Sequence, residues 1–278
     1  MLKLDAAALF DTGKQRVVNE DRAWSQIYMA SEGEPIGLFV VCDGIGGHLG
    51  GDCASQWALE TIKRELRDIF CPFDPRGTKE LSRSELDAAL RGSSSTRLSS
   101  VRKLERQVRR AVERANLVVY EYALQRPEKA GDAGTTLTLA LVSGARAVIA
   151  NVGDSRTYLL RDNQLRQITQ DHSLVANLVT SGQIKPEEVY THPQRNLIYR
   201  SLGYKAELHV DTFMQILQAG DFLLLCSDGL WEMVQNEQKM AQIILDSSST
   251  EQACRALVGA ANQAGGEDNI GVVVVKIT

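Results

Sequence analysis

Residues 135–168 read TTLTLALV, SG, ARAVIANV, GD, SRTYLLR, DN, QLRQI, and this stretch indicates the fold class. Four runs rich in β-branched and apolar residues are separated by two-residue connections that contain Gly144, Gly153 or the pair Asp162 and Asn163. Connections this short join antiparallel strands, because parallel neighbours need a crossover of a dozen or more residues. The middle of the chain is therefore predicted to be an antiparallel meander.

The sequence on either side of the meander predicts helices and further strands in separate blocks. Helical periodicity of apolar residues runs through 54–69, 101–125, 236–245 and 250–263. Strand-like runs occur at 2–10, 23–29, 36–42, 213–216, 221–226 and 270–277. Residues 172–204 are less regular and predict a short helical excursion. Blocks of strands and helix pairs favour an α+β layered sandwich over a βαβ parallel sheet.

Composition excludes several classes of protein. The chain has 278 residues, with 31 Lys and Arg against 35 Asp and Glu, and its net charge of −4 argues against a general nucleic-acid binder. Its apolar runs are too short to cross a bilayer, and its first residues lack the apolar core of a secretory signal. The five Cys are scattered and form no Cys-x-x-Cys pair, so neither a disulfide framework nor a zinc site is expected. These features predict a cytoplasmic protein.

Two segments deliver an Asp at the exit of a buried strand. Residues 38–44 read LFVVCDG and residues 223–229 read LLLCSDG, which places Asp43 and Asp228 directly after apolar runs. Either segment alone is equally well an ordinary Asp-Gly turn. Asp268 precedes the last strand, and in an antiparallel sheet the entry of one strand lies beside the exit of its neighbour. The three carboxylates are therefore expected to converge, with Asn19, Glu20 and Asp21 as a further acidic group.

Carboxylates that converge repel one another, and a divalent cation removes that penalty. An all-oxygen ligand set without neighbouring Cys or His favours Mg²⁺ or Mn²⁺ over Zn²⁺. Two such ions, about 3.5–4 Å apart, can activate water for in-line attack at phosphorus. Arg16 could hold two phosphate oxygens through its guanidinium, although a surface ion pair is the simpler interpretation of that residue alone.

The glycine-rich loop at 43–51 does not fit the nucleotide-binding patterns. The Gly-x-Gly-x-x-Gly pattern fails at Leu49, and the P-loop pattern fails because Asp52 and Cys53 stand where Lys and Ser or Thr are required. The serine-rich stretch at 74–100 is interpreted as a surface insertion, either a tolerated loop or a regulatory phosphorylation or docking site.

Seven short motifs carry a family resemblance, and they occur in this order: RxxNED at 16–21, DGIGG at 43–47, GTT at 134–136, GDSR at 153–156, DHS at 171–173, SDG at 227–229 and GEDN at 266–269. They resemble the ordered motifs of the metal-dependent serine/threonine protein phosphatases, the protein phosphatase 2C family, in its bacterial form. The resemblance implies a four-layer α-β-β-α sandwich of two antiparallel sheets flanked by helix pairs. It also implies one phosphatase domain over 1–278, with the insertion at 74–100 and a flap at 174–202.

The resemblance implies a set of metal ligands. Asp43 would bridge two ions, the Gly44 carbonyl would bind one of them, and Asp228 and Asp268 would hold the other. Asp154 would hold, together with Asp228, a third and more weakly bound ion.

The resemblance implies further roles around these ligands. Glu20 would act through metal-bound water, Asp21 and Asn269 would orient the ligands and waters, and Arg16 would bind the substrate phosphate. Ile45 stands where animal members carry a His. The general acid is therefore left open between His48 and a metal-bound water.

The predicted activity is hydrolysis of phosphoserine and phosphothreonine on proteins by direct attack of a hydroxide that bridges two Mn²⁺ or Mg²⁺ ions. Its expected partners are phosphorylated proteins and a cognate serine/threonine kinase. No nucleic-acid or membrane partner is expected, and the chain is expected to be a monomer. Two alternatives are a catalytically silent module that senses phosphoproteins and a hydrolase of small phosphoesters.

Overall fold

The computed structural model describes residues 2–29, 34–46, 50–70, 96–130 and 133–278. His48, the candidate general acid, and the predicted insertion up to residue 95 lie outside the described residues.

The strands form two large antiparallel sheets and one small sheet. In chain order they are β1 (Leu4–Asp11), β2 (Arg22–Met29), β3 (Pro35–Cys42), β4 (Gly44–Ile45), β5 (Gly134–Thr135), β6 (Leu137–Ser143), β7 (Arg146–Val152), β8 (Arg156–Arg161), β9 (Gln164–Gln167), β10 (Asp211–Ile216), β11 (Phe222–Cys226) and β12 (Ile270–Ile277). The first sheet has the order β1-β12-β11-β8-β9, the second has the order β10-β7-β6-β3-β2, and β4 pairs with β5. The predicted single meander over 135–168 is wrong at one connection. Strand β6 pairs with β7 and β8 pairs with β9, but β7 lies in the second sheet and β8 in the first. The short connection at 153–155 therefore joins two packed sheets and not two paired strands.

The helices cover the outer faces of the two sheets. They are α1 (Gly51–Glu65), α2 (Arg67–Phe70), α3 (Thr96–Gln125), α4 (Pro127–Ala130), α5 (Leu174–Thr180), α6 (Asp228–Trp231), α7 (Glu237–Asp246) and α8 (Thr250–Gln263), with a 3₁₀ helix at Pro186–Thr191. Helices α1 and α3 pack on the second sheet, and α7 and α8 pack on the first. The predicted four-layer sandwich is confirmed.

Both faces of the central strands are buried, which explains their unbroken apolar sequences. In β3, Phe39 and Val41 face the other sheet, whereas Leu38 and Val40 face α1 and α3. A third apolar cluster fills the space between the first sheet and the α7–α8 pair. Each fully buried large side chain contributes roughly 1.5–3 kcal/mol, so these three layers position the strand ends firmly.

The structure differs from the sequence predictions at several element ends. Helix α3 begins at Thr96, so residues 96–100 are helical and do not belong to the predicted insertion. The predicted helix 54–69 is divided into α1 and α2 at Leu66. The pairing of β4 with β5 was not predicted, because two-residue strands carry no periodicity. The short helical excursion at 172–204 is confirmed by α5 and the 3₁₀ helix.

The described helices include none with both the length and the apolar character needed to cross a membrane.

Candidate active site

Strand register brings four acidic residues to one end of the sandwich. In the second sheet Arg22 pairs with Cys42, so Asp21 lies beside Asp43. In the first sheet Cys226 pairs with Val272, which places the residues after β11 beside the residues before β12. Asp228 and Asp268 therefore meet at that sheet end, as the antiparallel argument predicts.

A buried hydrogen-bond chain joins the two sheet ends. The Ser227 hydroxyl donates to Asp21 Oδ2 at 2.6 Å, and the Gly271 N–H donates to the Ser227 hydroxyl oxygen at 2.8 Å. Asp21 is fully buried. Ser227 therefore fixes the orientation of Asp21 and links the residue before β2 to β12.

The carboxylates at this end raise one another's pKa values. Burial raises the pKa of Asp43 well above its ordinary value, and the charges of Asp21, Asp228, Asp154 and Asp268 raise it further. Burial likewise raises the pKa of Asp228, with Asp154 and Asp268 as the next causes. These carboxylates therefore lie at one end of the sandwich, near enough for each to affect the charge of the others.

Two buried carboxylate oxygens at this end have no hydrogen-bond partner. They are Oδ1 of Asp21 and Oδ1 of Asp228. An unpartnered buried oxygen is costly, since it loses its hydration without compensation. A bound cation, or water held by a cation, would satisfy both atoms, and this donor set fits a hard divalent ion.

Asp268 is paired with Arg16. The Arg16 guanidinium donates to Asp268 Oδ2 at 2.7 Å. Within the described ranges, no three His, Cys, Asp or Glu side chains are arranged so that they enclose a single ion. For Asp268 to act as a metal ligand, it would exchange its contact with Arg16 for the cation.

The backbone of Asp43 is held from two sides by the GTT motif. The Asp43 carbonyl accepts from the Thr136 N–H and from the Thr135 hydroxyl, each at 2.8 Å. The Asp43 N–H donates to the Thr136 hydroxyl oxygen at 3.1 Å. These bonds explain why two consecutive Thr follow Gly134, and they fix the direction in which Asp43 leaves β3.

Gly44 permits the close approach of three segments. A Cβ atom at Gly44 would lie 2.3 Å from the Gly51 carbonyl oxygen and 2.8 Å from the Glu20 carbonyl oxygen. A Cβ atom at Gly51 would lie 2.8 Å from Glu20 Oε1. The two glycines therefore let the Glu20 carboxylate reach the start of α1 beside Asp43.

Asn269 ties the loop that carries Glu20 to the start of β12. Its Oδ1 accepts from the Glu20 N–H at 2.8 Å, and its Nδ2 donates to the carbonyls of Thr12 and Val18. The Asn269 N–H also donates to Asp268 Oδ1 at 2.8 Å. Asn269 thus orients both Glu20 and Asp268 through hydrogen bonds.

Comparison with known proteins identifies the family. The family model described as Protein phosphatase 2C matches residues 15–263. The chain belongs to the protein phosphatase 2C family. It is 35% identical over 266 residues to the serine/threonine phosphatase stp of Listeria welshimeri, which covers 96% of this chain and 93% of that protein.

Solved structures of phosphatase 2C domains agree with the architecture. The crystal structure of the serine/threonine phosphatase PstP/Ppp of Mycobacterium tuberculosis has a TM-score of 0.76 and 33% identity, with 98% of both chains covered. A second structure, the catalytic domain of PstP in complex with two manganese ions, has a TM-score of 0.75 and 32% identity, with full coverage of both chains.

Asp154 lies at the same end of this phosphatase 2C domain, after β7. Burial raises the pKa of Asp154 to about 7, and the charge of Asp171 is the next cause. The Trp231 indole N–H donates to the Asp154 carbonyl at 3.1 Å. The loop that carries Asp154 is therefore held by α6, whose first residue is Asp228.

A buried ion pair supports that loop. The Arg156 guanidinium donates to both carboxylate oxygens of Asp171, with a shortest distance of 2.7 Å. It also lies 3.5 Å from the ring centroid of Trp231. Arg156 of the GDSR motif therefore contacts Asp171 of the DHS motif. It also packs on the Trp231 indole, which donates to the Asp154 carbonyl.

Replacing Arg156 with Met should lower the free energy of unfolding by about 3 kcal/mol, because it leaves the buried Asp171 carboxylate unpaired. Urea denaturation measures the change. The double substitution Arg156→Met with Asp171→Leu should regain much of the loss, since no unpaired charge is left. Arg166, which is exposed on β9, is the matched control, and Arg166→Met should change stability by less than about 0.5 kcal/mol. Equal effects at both arginines would contradict this interpretation.

The sequence analysis did not predict some of the residues that lie at the site. Arg195, from the predicted flap, donates to Glu232 at 3.3 Å, and both line a cavity of about 280 Å³ with Arg16, Asp228 and Asp268. Ser227 and Trp231 stand in or beside a motif, yet nothing in the sequence shows which groups their side chains contact. The predicted residues Arg16, Glu20, Asp21, Asp43, Gly44, Asp154, Asp228, Asp268 and Asn269 all lie at this end of the sandwich.

Proposed function

We propose that this chain is a Mn²⁺- or Mg²⁺-dependent phosphatase that hydrolyses phosphoserine and phosphothreonine on proteins. The single observation that carries the proposal is the convergence of Asp43, Asp228 and their acidic neighbours at one end of the sandwich. Membership of the protein phosphatase 2C family supports it, and so does the PstP catalytic domain that binds two manganese ions. The silent phosphoprotein-sensing alternative is not favoured, because repelling carboxylates without a cation would only destabilise the fold.

The residues that would hold the metal ions present oxygen atoms at this end of the sandwich. Asp43, the Gly44 carbonyl, Asp228 and Asp268 would be direct ligands, and Asp154 would hold a further ion together with Asp228. Bound divalent ions supply Lewis-acid activation of water and neutralise charge on the phosphate. Glu20, Asp21 and Asn269 would orient the water molecules and the ligands, as their hydrogen bonds to one another and to Ser227 support.

Arg16 would bind the substrate phosphate. Its guanidinium lines the cavity beside Asp228 and Asp268, and it carries the planar pair of donors that matches two phosphate oxygens. When the Asp268 carboxylate binds a cation, the Arg16 guanidinium would exchange its contact with Asp268 for a contact with the substrate phosphate. His48 remains the candidate for protonating the leaving alkoxide, with a water at the metal site as the other candidate.

The setting of the enzyme is also proposed. The cysteines that lie in the described residues, Cys42, Cys53, Cys226 and Cys254, are free thiols, which fits a reducing compartment such as the cytoplasm. We expect a signalling role in which the chain reverses the action of a serine/threonine kinase on shared protein substrates. We also expect it to act as a monomer, on a single domain with a flap at 174–202.

The proposed activity is tested with the purified chain and a phosphothreonine peptide. We expect phosphate release with millimolar Mn²⁺ and a return to the background rate when a chelator is added in excess. A small ester such as p-nitrophenyl phosphate, assayed in parallel, separates a protein phosphatase from a hydrolase of small phosphoesters. Turnover that persists after chelation, or activity on the small ester alone, would contradict the proposal.

A further inference from the structure

One cavity in the described part of the chain lies beside the acidic site and contributes nothing to the chemistry proposed above. It has a volume of about 740 Å³. We name it the tyrosine groove, after the large side chains that line it: Ile45, Tyr120, Leu124, Ile198, Tyr199 and Tyr204. Its volume lies in the range of sites that bind ligands in folded proteins.

The groove starts where the acidic site ends. Ile45 lines the groove and lies two residues after Asp43, which is at most about 7 Å along an extended chain. Ile45 pairs with Gly134, and the neighbouring Thr135 exchanges two backbone hydrogen bonds with Leu202. The small sheet formed by β4 and β5 therefore connects three features: the Ile45 side of the groove, the GTT motif and the residue that follows Asp43.

Several of the apolar and aromatic side chains that line the groove are exposed to solvent. Leu124 at the end of α3 is 62% exposed, Tyr204 is 68% exposed and Tyr199 is 47% exposed. Single exposed apolar residues are common on protein surfaces. Exposed aromatic and aliphatic side chains that share one concave surface are, in contrast, typical of a binding site. Tyrosines are suited to this role, because they bury a large area with little loss of side-chain entropy.

The charges of the groove favour an acidic occupant. Arg200 and Lys205 line it, and none of the described residues that line it is an Asp or a Glu. Arg200 is paired with Asp211 at 2.9 Å, and the Lys205 ammonium lies 5.3 Å from the Tyr204 ring centroid at the exposed rim. Because Arg200 is paired, the Lys205 ammonium at the rim is the charge that is complementary to a phosphorylated segment.

We propose that the tyrosine groove binds the segment of the substrate protein beside its phosphorylated residue and takes one large apolar side chain between its tyrosines. This inference rests on the proposed phosphatase function and adds a substrate preference to it. The short path from Asp43 to Ile45 places the apolar residue within about four positions of the phosphothreonine. An apolar pocket of this kind discriminates between substrates by about tenfold or more.

The experiment compares two phosphothreonine peptides of equal charge. One carries Leu or Phe within four positions of the phosphothreonine, on either side in separate versions, and the other carries only Gly and Ser there. We expect the native chain with Mn²⁺ to give an approximately tenfold higher kcat/KM for the best apolar peptide, mainly through a lower KM. The double variant Leu124→Ala with Tyr204→Ala should bring this ratio close to one.

The ratio of the two kcat/KM values does not depend on the fraction of enzyme that is folded. Partial unfolding of the double variant therefore cannot by itself bring this ratio close to one. The matched control is Ile216→Ala at the end of β10, since Ile216 is 67% exposed and lies outside the groove. This control should keep the native ratio. A native ratio near one for all apolar positions, or a ratio unchanged in the double variant, would overturn the inference.

A binding measurement separates this inference from the proposed function. The fluorescence anisotropy of the labelled apolar phosphopeptide is followed in chelator, where no turnover is expected. If the native chain hydrolyses neither peptide nor p-nitrophenyl phosphate, but binds the apolar peptide more tightly than the double variant does, the proposed function fails and the groove stands. If hydrolysis is metal-dependent while peptide binding is identical in the two chains, the groove fails and the proposed function stands.

Discussion

Asp228→Asn should lower kcat/KM for a phosphothreonine peptide by at least about a thousandfold at millimolar Mn²⁺. The substitution keeps the shape of the side chain but removes a charge that would hold a cation, and the loss of several kcal/mol of transition-state stabilisation corresponds to that factor. Asp228 is the residue to change, because it is the proposed direct ligand whose buried Oδ1 has no hydrogen-bond partner. Steady-state phosphate release across a series of Mn²⁺ concentrations measures the effect.

The control for this substitution is Asp246→Asn. Asp246 is exposed at the end of α7 and accepts a hydrogen bond from Gln242. It carries the same change of charge far from the site, and its kcat/KM should stay within about twofold of native, in line with the small effects of surface substitutions. An Asp228→Asn variant that keeps a tenth of native turnover would remove the basis for the proposed metal site.

The metal-free chain should lose stability as the pH rises from about 4 to about 7. Burial raises the pKa values of Asp21 and Asp154 to about 7, whereas an unfolded Asp titrates near 3.9. Between these two values the native state binds more protons than the unfolded state, so the free energy of unfolding falls with rising pH. Urea denaturation in excess chelator, at intervals across this range, measures the slope.

Added Mn²⁺ should reverse this trend, because a cation stabilises the ionised carboxylates of the native state. Binding to the native state at a thousand times the dissociation constant adds about 4 kcal/mol of stability. In the metal-free state, Asp228→Asn should be more stable than the native chain at pH 7 and should show a shallower slope, since one repelling charge is absent. Asp246→Asn should keep the native slope. A metal-free stability that rises steadily from pH 4 to 7 would show that the acidic cluster does not repel in this way.

Local sequence patterns predicted most of the fold. The runs at 135–168 and 270–277 have the composition of strands, and the helices at 236–245 and 250–263 have a clear apolar periodicity. The structure places these elements within a few residues of their predicted bounds. Element ends were less accurate, as α3 shows, because a helix can start in polar sequence once its apolar face is packed further along.

The sequence predicted which residues belong to the candidate site, but it did not predict which of their side chains contact one another. The carboxylates could be assigned to one edge because antiparallel register alone brings strand exits beside strand entries. The contact between Arg16 and Asp268 joins residues 252 positions apart, and the sequence predicted a phosphate ligand at Arg16 without this partner. The same holds for Ser227 and Asp21, which are 206 positions apart.

Seven ordered motifs in the sequence carried the resemblance to the family. Composition and periodicity, which are local properties of the chain, indicated the strands, the helices and the acidic residues at strand ends. Tertiary structure alone decided that Arg156 lies between Asp171 and Trp231, that Arg16 pairs with Asp268, and that a groove opens between α3 and residues 198–205. The reason is physical: side-chain direction and the space between elements depend on how whole layers pack. Spacing along the chain carries no record of that packing.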